Sequence, residues 1–221
     1  MGYAIMRLQK VKTFGQVDAR MKHNHRDYKT AFKSERQNPK IIVNANNQLK
    51  YEDFIKQNID KKVRKNAVVA VEIVTSFSPE SPPADLKLWV GENIKWVSDN
   101  FGGVSNIYDV AFHADESTGH LHFIVAPIFE GKLNCFHFIN GRGDLSKLQT
   151  SYAEQMAKFG LQRGVEREKT NSFHQDFKTF RAKEVERIQQ LEAVEREKVM
   201  TKIHGELGIT PRFKEDLYYD R

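Results

Sequence analysis

The sequence predicts an α+β fold: an antiparallel β-sheet carrying a His-x-His metal site, with helices packed on it and a long helix toward the C-terminus. Three observations predict it. Stretches rich in β-branched residues recur at 66–77, 104–113 and 120–129, and the last two are separated by only six residues, which suits a hairpin rather than a parallel crossover. Apolar residues spaced three or four apart at 86–101 and 144–159 mark amphipathic helices. Strand and helix do not alternate through the chain, which argues against a β/α barrel.

The elements follow in order. Residues 3–10 alternate loosely and read as a strand. Residues 12–48 are polar, broken by Asn38-Pro39 and by Asn44-Ala45-Asn46-Asn47, and read as an irregular stretch kept for function. Ile55, Ile59 and Val63, four apart, predict a helix over 52–65, and 66–77 a buried strand. After a loop at 78–83, Leu86, Val90, Ile94, Val97 and Phe101 line one face of a helix closed by Gly102-Gly103. Trp89 and Trp96 on that helix are read as packing residues, not base-stacking platforms. Strands at 104–113 and 120–129 flank a polar connection, and Glu130-Gly131 turns into a third strand at 132–139. A helix at 144–159 ends at Gly160. The helices are expected on one face of the sheet.

From His174 to His204 the chain is highly charged, with Phe177, Phe180, Val185, Ile188, Leu191 and Val194 on a narrow stripe that predicts a long exposed helix. The chain therefore divides into a domain over 1–165 and a charged helical extension over 166–221.

Composition bounds the function. At 39% hydrophobic residues, with 15 Phe and 7 Tyr, the chain can build a core. Cys135 is the only cysteine, so no internal disulfide forms. Arg7 and Lys10 interrupt the first ten residues, which do not read as a signal peptide. The most apolar run, 67–74, is short and holds Glu72, so no membrane span is expected and a cytoplasmic location follows. Residues 1–65 hold 16 Lys/Arg against 6 Asp/Glu, whereas the remainder holds 19 against 23. A basic first third points to a polyanion partner.

The chemistry is concentrated in His113-Ala-Asp-Glu116-Ser-Thr-Gly-His120-Leu-His122. Side chains alternate faces along a strand, so His120 and His122 point the same way. If the intervening loop closes a hairpin, His113 lies opposite His120, at ~5 Å between Cβ atoms. Three imidazoles then converge, and Glu116 can swing in as a fourth ligand or stand beside the metal as a base. An open face suits a catalytic rather than a closed structural site. Imidazole accepts zinc, manganese and nickel, and magnesium less readily, so the donor set leaves the divalent ion open.

A histidine–hydrophobe–histidine pair on a sheet is the mark of the HUH endonucleases. The longer string here resembles the plasmid mobilisation relaxases of the MobV (Mob/Pre) type. Three further segments are similar to that family: the opening YAIMRLQKVK, the first motif at Lys22-His23-Asn24-His25-Arg26, and the basic Val63-Arg64-Lys65-Asn66-Ala67-Val68. The similarity runs to about residue 165. Gly119 stands where the family often has Pro, and the region after Asn38-Pro39 lacks the tyrosine its second motif often carries.

The resemblance implies a site- and strand-specific relaxase that nicks and rejoins single-stranded DNA at a plasmid origin of transfer, starting conjugative mobilisation. It implies His113, His120, His122 and Glu116 as metal ligands, with Mn²⁺ the leading ion and Mg²⁺, Zn²⁺ or Ni²⁺ the alternatives. His23, Glu116 and Arg26 are the implied catalytic residues. His23 becomes the nucleophile, giving a 5′-phosphoryl-histidine, with Tyr28 and Tyr51 as fallbacks; unperturbed imidazole, at a pKa of ~6.5, is largely neutral near pH 7. Arg26 is the implied phosphate clamp. Arg7, Lys22, Arg26, Lys61 and Arg64 are the implied contacts to single-stranded and hairpin DNA. A coupling protein of a conjugation system and a homodimer through the C-terminal helix are the further partners expected.

Three readings compete. A rolling-circle replication initiator would need a tyrosine in a helix downstream of the histidines, and Tyr152, inside the helix 144–159, is the candidate. A metal-dependent hydrolase of small substrates would share the His-x-His pair. A DNA-binding autoregulator would lack catalysis, although every site residue is present.

Overall fold

The computed structural model describes residues 2–27, 40–44 (as backbone), 49–114 and 118–164. The chain begins with β1 (Gly2–Val11). Thr13 then starts a helix within the stretch expected to be irregular: its hydroxyl accepts from the Gln16 N–H at 3.2 Å, opening α1 (Phe14–Asn24). Val17 is the only apolar residue that α1 buries fully, so its apolar periodicity is faint and the cap carries the signal. A second element of that stretch, β2 (Lys40–Asn44), is an edge strand.

Helix α2 (Tyr51–Asn58) stops seven residues before the expected end; Ile59 and Val63 pack on its core from the following loop. The β-branched run forms β3 (Ala70–Phe77). Asp85 caps α3 (Leu86–Asn100), accepting from Leu88 N–H at 2.9 Å, and Gly102 and Gly103 follow at φ 85° and 102°. Strands β4 (Ile107–His113) and β5 (His120–Val125) come next. The strand expected at 132–139 is shorter: β6 (Ile128–Phe129) and β7 (Lys132–Leu133) make a small hairpin, and α4 (Cys135–Phe138) follows at once. There the backbone turns inward to stack the His137 ring on Phe129, with centroids 3.4 Å apart. Helix α5 (Arg142–Met156) leads through a short 3₁₀ turn and Gly160, at φ 73°, into β8 (Leu161–Arg163).

The main sheet has six strands in the order β2-β4-β5-β3-β1-β8, antiparallel except where β8 joins β1. Its two faces differ. On one, Ile73, Phe77, Leu121 and Phe123 meet Trp89 and Trp96 of α3 and Tyr152 and Met156 of α5. Each such side chain contributes about 1.5–3 kcal/mol by burial. Both tryptophans are core residues, as the sequence predicts. Contrary to the expectation of helices on one face, α1 and α2 pack on the other, where Val17, Tyr51 and Ile55 cover Ala70, Tyr108 and Ile124. That second cover spans only one end of the sheet. No helix among the described residues is long and apolar enough to cross a membrane. The helix expected at 174–204, and the dimer contact assigned to it, lie outside the described residues.

Candidate metal centre

The site lies on the α1/α2 face, beneath the C-terminal end of α1. In the β4–β5 pairing His113 lies opposite His120, and Ala111 opposite His122, so the three histidines share one face as the hairpin predicts. Leu121 and Phe123, between and beyond them, are fully buried on the helical side. Ring centroids are 4.7 Å apart for His113–His122 and 5.0 Å for each of the other two pairs. The end of α1 brings a fourth ring: His23 is 5.5 Å from His122 and 5.9 Å from His113. One nitrogen each from His23, His113 and His122 fall within 4.8 Å of one another.

Hydrogen bonds fix two of the rings. Nε2 of His113 lies 2.9 Å from the Asn24 carbonyl, which can only accept, so the proton is on Nε2 and the lone pair on Nδ1. The Arg26 guanidinium donates to that Nδ1 at 3.0 Å. Nδ1 of His120 donates to the Thr118 carbonyl at 2.9 Å, which leaves the lone pair on Nε2. His122 differs: both ring nitrogens are buried and neither has a hydrogen-bond partner among the described residues. Its nearest carboxylate oxygen, Glu72 Oε1, is 3.7 Å from Nδ1. Buried polar atoms without partners are rare in folded proteins. An orphaned imidazole between two oriented ones fits a divalent cation, and Mn²⁺, Zn²⁺ and Ni²⁺ all accept nitrogen donors.

The electrostatics agree with that fit. Burial drives the His113 pKa down to about 4, helped by the neighbouring His122, Arg26 and His120, despite its bond to Asn24. His113 is therefore neutral at pH 7, as a metal ligand must be. Burial alone would raise the Glu72 carboxyl, yet the nearby His122 ring and the bonded Arg20 guanidinium hold it below the usual range. Arg20 Nε donates to Glu72 Oε2 at 2.8 Å, tying α1 to β3. His25 Nε2 donates to Asp109 Oδ1 at 2.9 Å, and this bond keeps the His25 pKa above the ordinary value.

The remaining residues expected in the site divide into four groups. Arg7 is exposed on the same face, opposite Val74, which in turn pairs with His122. Lys22 precedes His23 on the exposed end of α1. Lys61 and Arg64 are not brought to the histidines. With Lys62 and Lys132 they line a cavity of about 360 Å³ beyond the far end of β5. Glu116 and Tyr28 lie outside the described residues. Tyr51 is buried and donates to the Val69 carbonyl at 2.7 Å, so it offers no nucleophile. Tyr152, the tyrosine an initiator would need, is buried in the core on the opposite face, where its hydroxyl donates to Asn93 Oδ1 at 3.0 Å.

Arg20, His25, Glu72 and Asp109 are absent from the residues the sequence singled out. A signal existed for the two acids. Each is a charge inside an apolar strand, and each falls on the face of the histidines: Asp109 opposite Ile124, and Glu72 opposite the same residue from the other side.

A sequence model of the family described as plasmid recombination enzyme, Mob_Pre, matches residues 1–182. The chain belongs to this family. As a Mob/Pre chain it is 33% identical over 175 residues to a 65 kDa protein of Zymomonas mobilis subsp. mobilis, covering 74% of this chain and 30% of that one. It is 33% identical over 180 residues to plasmid recombination enzyme type 2 of Staphylococcus aureus, covering 74% and 42%. The chain thus spans less than half the length of these Mob/Pre relatives. Among solved structures it is similar to the MobM relaxase domain bound to pMV158 oriT DNA and manganese. One such structure has a TM-score of 0.69 at 24% identity, over 81% of this chain and 98% of that one. A second, at pH 4.6, has the same TM-score at 25% identity, over 81% and 99%.

Proposed function

We propose that this chain is the nicking domain of a relaxase, cutting and rejoining one strand of plasmid DNA at an origin of transfer through a phosphoryl-histidine on His23. The observation that carries the reading is the placement of His23. It stands on the exposed end of α1 against His113 and His122, so a phosphate bound at the cluster meets the imidazole. Membership of the Mob/Pre family, and likeness to a relaxase domain with bound oriT DNA, support the choice of substrate.

His113 through Nδ1, His120 through Nε2 and His122 would hold the divalent ion, with Mn²⁺ the first choice. When bound, the ion acts as a Lewis acid on a non-bridging phosphate oxygen. A ring nitrogen of His23 attacks phosphorus in line: the P–N bond forms as the P–O3′ bond breaks, and the 3′ oxygen leaves to take up a proton. The other ring nitrogen of His23 gives up its proton, leaving on the 5′ side a phosphoramidate with an uncharged ring and one negative charge on its phosphoryl oxygens. Return attack by the 3′ hydroxyl restores the phosphodiester. Arg26, turned toward the cluster, binds the phosphate as a fork of donors. Arg7 and Lys22 supply backbone contacts beside it. Glu116 is either the fourth ligand or the acceptor of the His23 proton. In Glu116→Gln, loss of metal affinity marks the ligand, and a slower nick at unchanged affinity marks the base. Recruitment of a coupling protein belongs to the same reading.

The test is incubation of the protein with Mn²⁺ and an end-labelled single-stranded oligonucleotide carrying its nick region. The reading expects cleavage with a labelled protein adduct, abolished by EDTA and by His122→Ala. Binding of double-stranded DNA with no cleavage under any of these ions would favour the autoregulator instead.

A further inference from the structure

The end of α1 is closed by a Schellman arrangement in which Asp27 N–H bonds the Lys22 carbonyl at 2.9 Å and Arg26 N–H bonds the His23 carbonyl at 3.1 Å. Arg26 sits in the left-handed region at φ 56°, where glycine is the usual occupant. A bulky residue persists there only when its surroundings over-determine it. What the turn achieves is plain from its contacts: it lays His25 and Arg26 side by side on β4. Asn24 accepts from His113, Arg26 donates to His113, and His25 bonds Asp109.

Two of those three contacts run through His113, and the Arg26 contact takes the lone pair a metal would use. The His25–Asp109 contact touches none of the histidines of the cluster. Asp109 is fully buried on β4 and faces the site four residues before His113, and its Oδ2 has no hydrogen-bond partner among the described residues. A buried carboxylate is costly unless paired, so His25 is held against it firmly. Two residues before His25, His23 rides on the same last turn.

We propose that the half-buried His25–Asp109 pair is a positioning device, fastening the last turn of α1 to β4 so that the His23 imidazole stays over the three-histidine cluster whatever Arg26 and His113 are bound to. This rests on the reading of His23 as the nucleophile. His25 is a positioning residue and touches no reacting atom.

The test uses the full chain with ¹⁵N-labelled histidine, as wild type, His25→Ala and His25→Gln, the last keeping an amide donor for Asp109. Sub-stoichiometric Mn²⁺ should broaden the ring signals of His23 together with those of His113, His120 and His122 in the wild type. In His25→Ala the three should still broaden while His23 broadens less, and His25→Gln should recover part of the effect. On a cognate oligonucleotide, single-turnover nicking at saturation should fall roughly 10–100-fold in His25→Ala, the scale of a misplacement of about 1 Å. The dissociation constant for the oligonucleotide should stay within about twofold. Should His25→Ala fail to fold, His25→Gln alone should show a smaller loss of both signals. Wild-type broadening of His23 and wild-type nicking in either folded variant overturn the proposal. If the wild type never nicks but the loss of His23 broadening is seen, the nucleophile reading fails and the positioning role stands.

Discussion

Nδ1 of His113 and the guanidinium of Arg26 are 3.0 Å apart, so the lone pair that would ligate a metal is directed at a cation. A divalent ion held by His113 would compete with Arg26 for that nitrogen, and its binding would free the guanidinium for the phosphate. Arg26→Ala removes the competitor. A hydrogen bond from a charged donor is worth about 1.5–3 kcal/mol, so Mn²⁺ affinity should rise roughly tenfold or more, while nicking slows. Titration calorimetry reads the first effect. Weaker Mn²⁺ binding in the variant would contradict the competition.

Glu72 has the opposite sign. It stands 3.7 Å from His122 Nδ1 and is itself held by Arg20, a placement from which it would orient the imidazole on a bound metal. Glu72→Gln should lower Mn²⁺ affinity by roughly 10–100-fold, the usual effect of losing such a partner. Electron paramagnetic titration of free Mn²⁺ measures it. Wild-type affinity in that variant would remove Glu72 from the site.

Protonation of His113 should be visible in stability. Its folded pKa, about 4, is below the ordinary value of about 6.5, so between those pH values the unfolded chain binds a proton that the folded chain does not. Stability of EDTA-treated protein should therefore rise with pH across that window, by at most ~1.4 kcal/mol per unit from this group. His25 works the other way: its raised pKa stabilises the fold at low pH, and that contribution fades as pH climbs through the folded value. Denaturant melts of wild type and His113→Gln between pH 4 and 7 separate them. The variant should show the smaller positive slope, and an equal slope would contradict the assignment.

Much of this site was legible because a hairpin converts spacing into geometry. His113 opposite His120, with His122 on the same face, needed only the period of two and a short connection. The position of α1 was not legible in that way. The helix is short and buries one apolar residue, so the sequence pattern predicts no helix within 12–48, and the contact between His23 and the sheet depends on that helix packing back over β5. The anchors Arg20–Glu72 and His25–Asp109 join residues 52 and 84 apart in sequence. Pairings at that range have no local signature. For the strand expected at 132–139 the period holds for two residues only, after which the chain enters α4, where His137 stacks on Phe129.

Tyr152 offers a control on the opposite face. Tyr152→Phe removes the donor to the buried Asn93 Oδ1 and should cost about 1 kcal/mol of stability. Adduct formation with DNA should be untouched, since α5 packs beneath the sheet. Loss of the adduct in a variant with near-wild-type melting would revive a tyrosine nucleophile.

If His23 is the nucleophile, phosphorus is transferred to its ring. Trapping the protein on its oligonucleotide with Mn²⁺, digesting the adduct with trypsin and sequencing the nucleotide-bearing peptide by mass spectrometry locates the bond. A nucleotide should be found on the His23 ring, through a linkage lost in acid and kept in alkali, with no adduct at all in His23→Ala. An acid-stable adduct on a tyrosine such as Tyr28, or an adduct that survives His23→Ala, would contradict it.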